Sequence, residues 1–445
     1  MSAYRSWGIP AKKEQAAVAP AWRRDAGSVT VGAVGNQSNT SASFLAFGNG
    51  RSYGDSCLNS QGTLIDTRYL NKILSFDKER GRLCADPGVT MRDILSVALP
   101  AGWCVPVSPG TSFVTLGGAV ANDVHGKNHH ARGSFGQHVQ SFTLVKSSGE
   151  SFHCSPESHV DLYHASIGGL GLTGLMLSIE ISLIPVKGPL MDCLNVPFHG
   201  LDEFTALSGT YEKTHEYTVA WLDCLSTGRN EARGILTAAN HADAEAQYVR
   251  ADANRLSVPF SFPSMALNRL SISAFNSLYY HANARASRQQ ETVVIDKLFY
   301  PLDAIAHWNR IYGSNGFYQF QFVVPNAERA ALVEVMERIR RSGLGSFLAV
   351  LKIFGASVSP GMLSFPRPGF CLALDFAYRR GTTERLLKEL EAIVIAASGA
   401  IYPAKDRLMS AASFEASFPR VREFMQYTDT AYQSDYWQRV KPPEF

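Results

Sequence analysis

Between Val114 and Gly136 the chain reads VTLGGAVANDVHGKNHHARGSFG, a stretch that crowds glycines, amides and titratable rings together. Gly117 and Gly118 let the backbone approach another body closely, since neither carries a Cβ. Ala119, Val120 and Ala121 keep that approach slim. Asn122, Asp123, His125, Gly126, Lys127, Asn128 and His129 then supply donors and acceptors, and Gly133 and Ser134 close the segment. Too polar and too Gly-rich for a buried element, a long loop that costs conformational entropy to order is expected to hold a ligand. Zinc is the first alternative, because His125 and His129 fall four residues apart. The Glu of an H-E-x-x-H pattern is missing, however, and Gly126 inside a helix would cost about 1 kcal/mol. No C-x-x-C occurs among the seven cysteines, so no metal is expected. A large anionic or polar ligand clasped by glycines fits better than zinc; an ordinary solvated connection is the bland alternative.

Two more glycine-rich segments repeat the pattern. A strand expected over residues 42–47 runs into Gly48-Asn49-Gly50-Arg51-Ser52-Tyr53-Gly54, a turn that bares successive N–H groups as an anion nest. No helical pattern follows it, so it is not a dinucleotide fingerprint of the G-x-G-x-x-G kind. Residues 166–174, SIGGLGLTG, carry Gly169, Gly171 and Gly174. Pro109, Gly110 and Thr111 make a further rigid polar turn. These segments together imply a domain that takes a phosphate-bearing cofactor along an extended path.

The elements that must position these residues are short strands with one helix from Thr90 to Gly102, an α+β pattern. A strand is also expected over 28–34, and a strand buried on both faces over 175–184. Residues 185–189, PVKGP, look like a linker. Beyond them Phe317–Val324, FYQFQFVV, alternates with period two: Phe317, Gln319 and Gln321 share one face, and Tyr318, Phe320 and Phe322 the other. The aromatic face belongs in the core and the amides beside something polar. Strands over 347–354 and 370–376 and helices over 327–341 and 384–397 complete an antiparallel sheet covered on one side by helices. The expected division is a cofactor domain over 1–188, a substrate domain over 189–400 and a C-terminal return over 401–445.

Composition limits the partners. Hydrophobic residues make up 45% and charged ones 18%, which belongs to a folded chain, and a net charge of +3 is too diffuse for nucleic acid. The odd, scattered cysteines suit a reducing compartment. An N-terminus without an apolar h-region points to a cytoplasmic protein. Residues 243–287 lack a consistent period and hold a run, RLSVPFSFPSMALNRLSISAFNSLYY, that mixes Phe, Leu and Met with sparse charge; it forms either core or a partly exposed flap beside Arg285 and Arg288 that covers a greasy substrate or touches a membrane.

Taken in order, GRSYGD, VTLGGAVANDVHGKNHHARGSFG, GLGLTG, YTVAWLD, NRIYG, FYQFQFVVP, LKIFG, SFPRPGF and YPAKD make the chain resemble the decaprenylphosphoryl-β-D-ribose 2′-oxidase family, within the vanillyl-alcohol oxidase (PCMH-type FAD-binding) superfamily. The resemblance runs from about residue 42 to the C-terminus. It implies non-covalent FAD with its pyrophosphate in the GNGRS and SPGTS nests, because Tyr53 stands where flavinylated relatives carry a histidine. It further implies catalytic roles for Lys405, Tyr53 and His125, and a substrate pocket of Lys127, Tyr312, Gln319, Gln321, Lys352 and Cys371. Cys371 and Ala373 depart from the family pattern, which places the wall thiol two residues later. The implied reaction is oxidation of a lipid-linked pentose at the inner face of the plasma membrane, with a nicotinamide-dependent ketoreductase as partner. A free-sugar, alditol or aldonolactone oxidase, and a non-enzymatic sugar-lipid binder, are the alternatives.

Overall fold

The computed structural model describes residues 4–8, 14–26, 43–228, 232–249, 256–263, 266–285, 287 and 289–443. The strand expected over 28–34, and Arg288, lie outside these residues. Near the start, Ala16–Val18, Thr63–Asp66 and Phe44–Phe47 form a small parallel sheet in that order. An antiparallel five-stranded sheet follows, ordered Ile73–Asp77, Arg82–Ala85, Leu175–Ser182, Val139–Val145, Ser151–Cys154. Its middle strand is buried less than expected: Leu175, Ile179 and Ile181 enter the core, whereas Ser178 and Glu180 are half-buried.

The helix after Thr90 forms because Thr90 and Asp93 cap it reciprocally, Asp93 N–H donating to Thr90 Oγ1 (3.2 Å) and Thr90 N–H to Asp93 Oδ2 (3.1 Å). Met91, Ile94, Leu95 and Ala98 give it one buried stripe. The α-helix ends at Ala98, earlier than Gly102, with a tighter turn over Leu99–Ala101.

The larger region is an eight-stranded antiparallel sheet. Its order is Gln290–Val294, Leu190–Phe198, Gly234–His241, Tyr217–Leu222, Ala349–Phe354, Gly369–Ala377, Phe317–Val324, Ala400–Ile401. The period-two reading of Phe317–Val324 sets its orientation. Phe320 and Phe322 enter a core shared with Leu332, Val335 and Ile339 of the helix Arg329–Ser342 and with Leu386, Leu387 and Leu390 of the helix Thr382–Ala396. Helices therefore cover one face, and the amide face looks toward the first region. After Ile401 the chain turns back: Phe44 N–H donates to Ala431 O (2.7 Å), Ser60 N–H to Asp435 Oδ1 (2.7 Å), and Arg439 pairs with Asp55 (2.8 Å).

The run 256–280 is not aperiodic throughout; it enters a 17-residue helix, Arg269–Arg285. Spacing by four gives that helix three different faces. Ile272, Asn276 and Tyr280 are buried, Leu270 and Leu278 are outside at 82% and 73% exposure, and Phe275, Tyr279 and Asn283 line an internal cavity. Among the described residues no helix is long and apolar enough to cross a membrane.

Candidate active site

Between the two regions lies a cavity of about 860 Å³, at the upper end of the ~300–1,000 Å³ usual for small-molecule sites. Strand pairing builds its sheet-side wall. Gln319 stands opposite Asp375, Gln321 opposite Ala373, and Cys371 opposite Lys352, so all six side chains project from one face. The facing wall comes from the first region. It holds the turn Gly48, Asn49, Gly50, Arg51, Ser52 and Tyr53, then Pro109, Gly110 and Thr111, and Gly117, Gly118, Asn122, His125, Gly126 and Lys127, with Gly171 and Gly174 beneath. Lys405 completes it from the turn that follows the last strand.

Charge is concentrated here. Lys405 Nζ lies 3.6 Å above the Tyr53 ring, a cation–π contact, and Tyr53 N–H donates to Ala404 O (2.9 Å), so the two turns are tied at the reacting end. Burial lowers the Lys405 pKa and raises that of Asp375, while each group's charge opposes the other's shift. Asp375 Oδ1 accepts from Gln319 Nε2 (2.5 Å) and Oδ2 from Tyr312 Oη (3.3 Å). Lys352 Nζ approaches His125 Nδ1 (3.4 Å) and donates to Gly126 O (3.1 Å), and the Gln321 amide meets His125 Nε2 at 2.7 Å. Burial, then the Lys352 charge, hold His125 well below the usual imidazole range, so the ring is neutral at pH 7. The atom facing Nε2 is the Gln321 amide nitrogen, a donor, which puts the ring proton on Nδ1 beside Gly126 O (3.5 Å). Lys127 Nζ donates to Phe299 O (2.9 Å), and burial pulls its pKa down to about 7.

Several residues expected at the ligand stand behind it. Tyr312 is stacked between Phe317 (4.4 Å) and Phe347 (5.2 Å), and its hydroxyl braces Asp375 rather than entering the cavity. Asp123 closes its own loop, accepting from Gly136 N–H (2.7 Å) and Ser364 Oγ (2.5 Å). Asn128 donates to Pro106 O (2.8 Å), Ser134 accepts from Ser359 Oγ (2.9 Å), and the His129 ring packs at a tilt against Phe354 (4.5 Å). Gly54, Gly133 and Gly169 are packed so that a Cβ would meet Asp406, Gln137 and Ala165 respectively. The stretch 114–136 is thus largely buried, not a solvated loop. Its opening forms a short helix, Leu116–Ala121, capped by Thr115, whose Oγ1 accepts from Gly118 N–H (3.3 Å).

The first-region wall fits a large anionic cofactor. A Cβ at Gly110 would meet nothing within 4 Å, and at Gly171 only Leu45 at 3.9 Å, so both backbones lie open to the cavity. Arg51, stacked between Trp7 (4.3 Å) and Phe113 (4.6 Å), keeps a buried Nε without a protein partner beside the Gly48–Gly50 turn.

Comparison with known proteins agrees with this geometry. The family described as FAD binding domain matches residues 31–155. The decaprenylphosphoryl-beta-D-ribose oxidase of Mycolicibacterium smegmatis is 36% identical over 412 residues, 89% of each chain. The chain belongs to the decaprenylphosphoryl-ribose oxidase family. An uncharacterized protein in the mprA 5′ region of Streptomyces coelicolor is 30% identical over 353 residues, 76% of this chain and 94% of that one. The human Delta(24)-sterol reductase shares 29% over 118 residues, 26% of this chain and 23% of the reductase. The protein is accordingly an FAD-dependent oxidoreductase with an FAD-binding α+β region and an antiparallel-sheet region flanked by helices, the vanillyl-alcohol oxidase-like arrangement. The flavin is held without a covalent bond, Tyr53 offering no imidazole at the turn. Acid precipitation should leave the yellow chromophore in the supernatant; a coloured pellet would contradict this.

Two residues escaped the sequence reading. Asp375 carries no local signal, because its importance depends on Gln319, Tyr312 and Lys405 from other segments. Asp303 accepts from Thr111 Oγ1 (2.6 Å), Ser112 N–H (2.8 Å) and Ser112 Oγ (2.7 Å), locking the Pro109–Ser112 turn to the cavity wall at Pro301–Leu302. Nearly two hundred residues separate these partners, and no local pattern announces them.

Proposed function

We propose that the chain oxidises the 2′-hydroxyl of a polyprenyl-phosphoryl-β-D-ribose to the 2′-keto sugar, the first half of an epimerisation to the arabinose donor. The observation that carries this reading is the buried cluster Lys127, Lys352 and Lys405 in a cavity whose lining also includes the apolar side chains of Val219, Trp221, Val350 and Phe275. Cations buried with so few carboxylates call for an anion, and a phosphate between a sugar and a lipid meets both halves.

Bound FAD would supply the hydride acceptor that no side chain offers. The residues handle the proton and the orientation. Lys405, held over Tyr53, points its ammonium at the reacting hydroxyl and offsets negative charge developing beside it. Asp375, whose pKa burial raises, takes the hydroxyl proton while Gln319 and Tyr312 hold the carboxylate in place. Burial keeps the Tyr53 phenol protonated. Neutral His125 with Gln321 binds sugar hydroxyls, and Lys352 and Lys127 receive phosphate. Cys371 lines the wall near Gln321, and Gly48–Ser52 with Pro109–Thr111 would take the pyrophosphate. The keto sugar would pass to a nicotinamide-dependent ketoreductase.

Anaerobic mixing with polyprenyl-phosphoryl ribose should bleach the flavin, whereas free pentoses and alditols should not. Bleaching by free sugars alone would move the protein to the free-sugar oxidases. The same reading divides the chain at 188/189, where the linker leads into the large sheet, and near 400, where the return begins.

The reading also places the protein peripherally on the inner face of the plasma membrane. The outer face of Arg269–Arg285 shows Leu270 and Leu278, and nearby Phe260 and Phe262 are 65% and 37% exposed. Burying such side chains contributes about 25 cal/mol per Å², against about 1 kcal/mol for each basic residue near an anionic surface. Flotation with anionic liposomes should therefore resist salt and weaken in a Phe260→Ser/Phe262→Ser variant. Equal flotation of both proteins, or of neither, would remove the membrane role.

A further inference from the structure

Outside the residues that match the FAD-binding family, 31–155, a short segment near the start of the chain packs against the back of the cofactor wall. Ser6 Oγ and Trp7 N–H both donate to Ser52 O (2.5 and 2.8 Å), and Gly8 O accepts from Phe317 N–H (3.1 Å). Residues 6–8 therefore bridge the cofactor turn and the large sheet. Tyr4 pins the segment further back: its Oη donates to Asp66 Oδ2 (3.0 Å), and its ring meets Phe47 edge-on at 5.2 Å. The fit is close from both sides. A Cβ at Gly8 would stand 2.6 Å from Tyr53 O, and at Gly50, where φ is +57°, it would collide with Arg5 O.

Trp7 begins a run of contacts between rings and guanidinium groups. Arg51 lies 4.3 Å from the centre of the Trp7 ring and 4.6 Å from that of Phe113, and Phe113 carries a second cation, Arg92, at 4.1 Å. Asn49 Nδ2 donates to Phe113 O (2.9 Å) and Arg92 Nε to Ser112 Oγ (3.2 Å). The run thus joins the Gly48–Ser52 turn to the turn that begins at Pro109. Two cations on one ring repel each other. Asp303, the carboxylate whose charge favours the Arg51 cation, is already taken by Thr111 and Ser112. Arg51 lines the cavity, and its buried Nε has no partner. An anion lying across the two turns would relieve that repulsion.

We propose that Trp7 is a positioning residue for the cofactor: its ring holds the Arg51 guanidinium against the Gly48–Gly50 turn, ready for a diphosphate, and Tyr4–Gly8 is the clasp that keeps the ring there. An arginine stem has many rotamers, and stacking settles which way its donors point. The attraction of a cation to a ring face is electrostatic, so an aliphatic side chain of similar bulk cannot replace it. Trp7 stands behind the turn, outside the cavity lining, and also meets the wall residue Trp308 at 5.7 Å. The inference concerns FAD and not the sugar, so it stands whatever the substrate proves to be.

The test is the FAD dissociation constant of the deflavinated full-length protein, read by flavin fluorescence. Trp7→Leu should weaken FAD about tenfold, and Trp7→Phe about threefold or less, because the smaller ring still offers a π face. In an Arg51→Met background Trp7→Leu should add no more than about twofold, since the group it acts through is gone. Riboflavin, which lacks the diphosphate, should bind the wild type and Trp7→Leu alike. A variant lacking residues 1–8, compared in both backgrounds, supplies the same contrast should Trp7→Leu fold poorly, and circular dichroism checks each fold. Unchanged FAD affinity in Trp7→Leu, or a full tenfold loss in the Arg51→Met background, would overturn the proposal. So would a Phe variant as weak as the Leu one, or an equal loss for riboflavin, either of which would make Trp7 a packing residue only. None of these readouts uses turnover.

Discussion

Lys405→Ala is expected to slow substrate-dependent flavin bleaching by about 10²–10³-fold while FAD stays bound, the size of effect seen when one preorganised donor to a developing charge is removed. The ammonium sits 3.6 Å above the Tyr53 ring and lines the cavity opposite the Gln319–Asp375 pair. A low-dielectric site makes such a cation worth more than it would be in water. Flavin should be retained, because the Gly48–Ser52 and Pro109–Thr111 turns do not depend on Lys405. The pH profile separates this role from simple packing. Burial lowers the Lys405 pKa, so activity that needs the ammonium is lost as pH rises through a value below the ordinary lysine range. Burial raises the Asp375 pKa, so activity that needs the carboxylate is lost as pH falls through a value above the ordinary carboxylate range. The wild-type rate should be a narrow bell whose two limbs belong to the pair. Lys405→Ala should lose the alkaline limb and Asp375→Asn the acidic one. A Lys405→Ala rate within about threefold of wild type, where hundredfold or more is due, would take Lys405 out of the chemistry.

The sequence disclosed the walls of this site better than it disclosed their joints. Period-two alternation in Phe317–Val324 placed Gln319 and Gln321 on the cavity face because a strand has only two faces, one of them claimed by Phe320 and Phe322. Glycine nests at 48–50 and 110 were legible because they combine backbone freedom with nearby donors. The stretch 114–136 gave a mixed result. His125, Lys127 and the two glycines reach the ligand side, whereas Asp123, Asn128 and His129 were drawn inward to close the loop. Local sequence cannot say which polar groups are consumed internally, since their partners at Ser364 and Pro106 come from elsewhere. The helix Arg269–Arg285 stayed hidden for a different reason. The core face includes the polar Asn276, the cavity face the polar Asn283 and the outer face the apolar Leu270 and Leu278, so apolar and polar residues do not separate into stripes that would betray the period. Tyr312 shows the same limit. Its neighbourhood was right, but its hydroxyl serves Asp375 from behind the wall.

That hidden helix leads to the second large effect, a loss of stability on Asp223→Ala. Asp223 is 2% exposed at the end of the Tyr217–Leu222 strand, and four donors converge on its carboxylate. Arg233 reaches Oδ2 through Nε (3.0 Å) and Nη2 (2.9 Å); Asn276 Nδ2 (2.9 Å) and Leu225 N–H (3.2 Å) reach Oδ1. Arg233 also lies 4.8 Å over the Tyr280 ring. Asn276 and Tyr280 are the polar anchors of the helix that roofs part of the cavity, so this one carboxylate ties helix to sheet. Removing it strands a buried guanidinium and a buried amide, a change that costs about 3–5 kcal/mol for a broken buried pair. A chain of two sheet regions need not unfold in one step, so the effect is best read locally. Amide hydrogen exchange over 269–285 should speed up first, ahead of the five-stranded sheet. An Asp223→Leu/Arg233→Met double variant should recover much of the loss, since it removes the charge along with its partner. If Asp223→Ala alone leaves exchange in that helix unchanged, the carboxylate is not its anchor, and packing of Ile272 and Tyr280 must hold the roof instead.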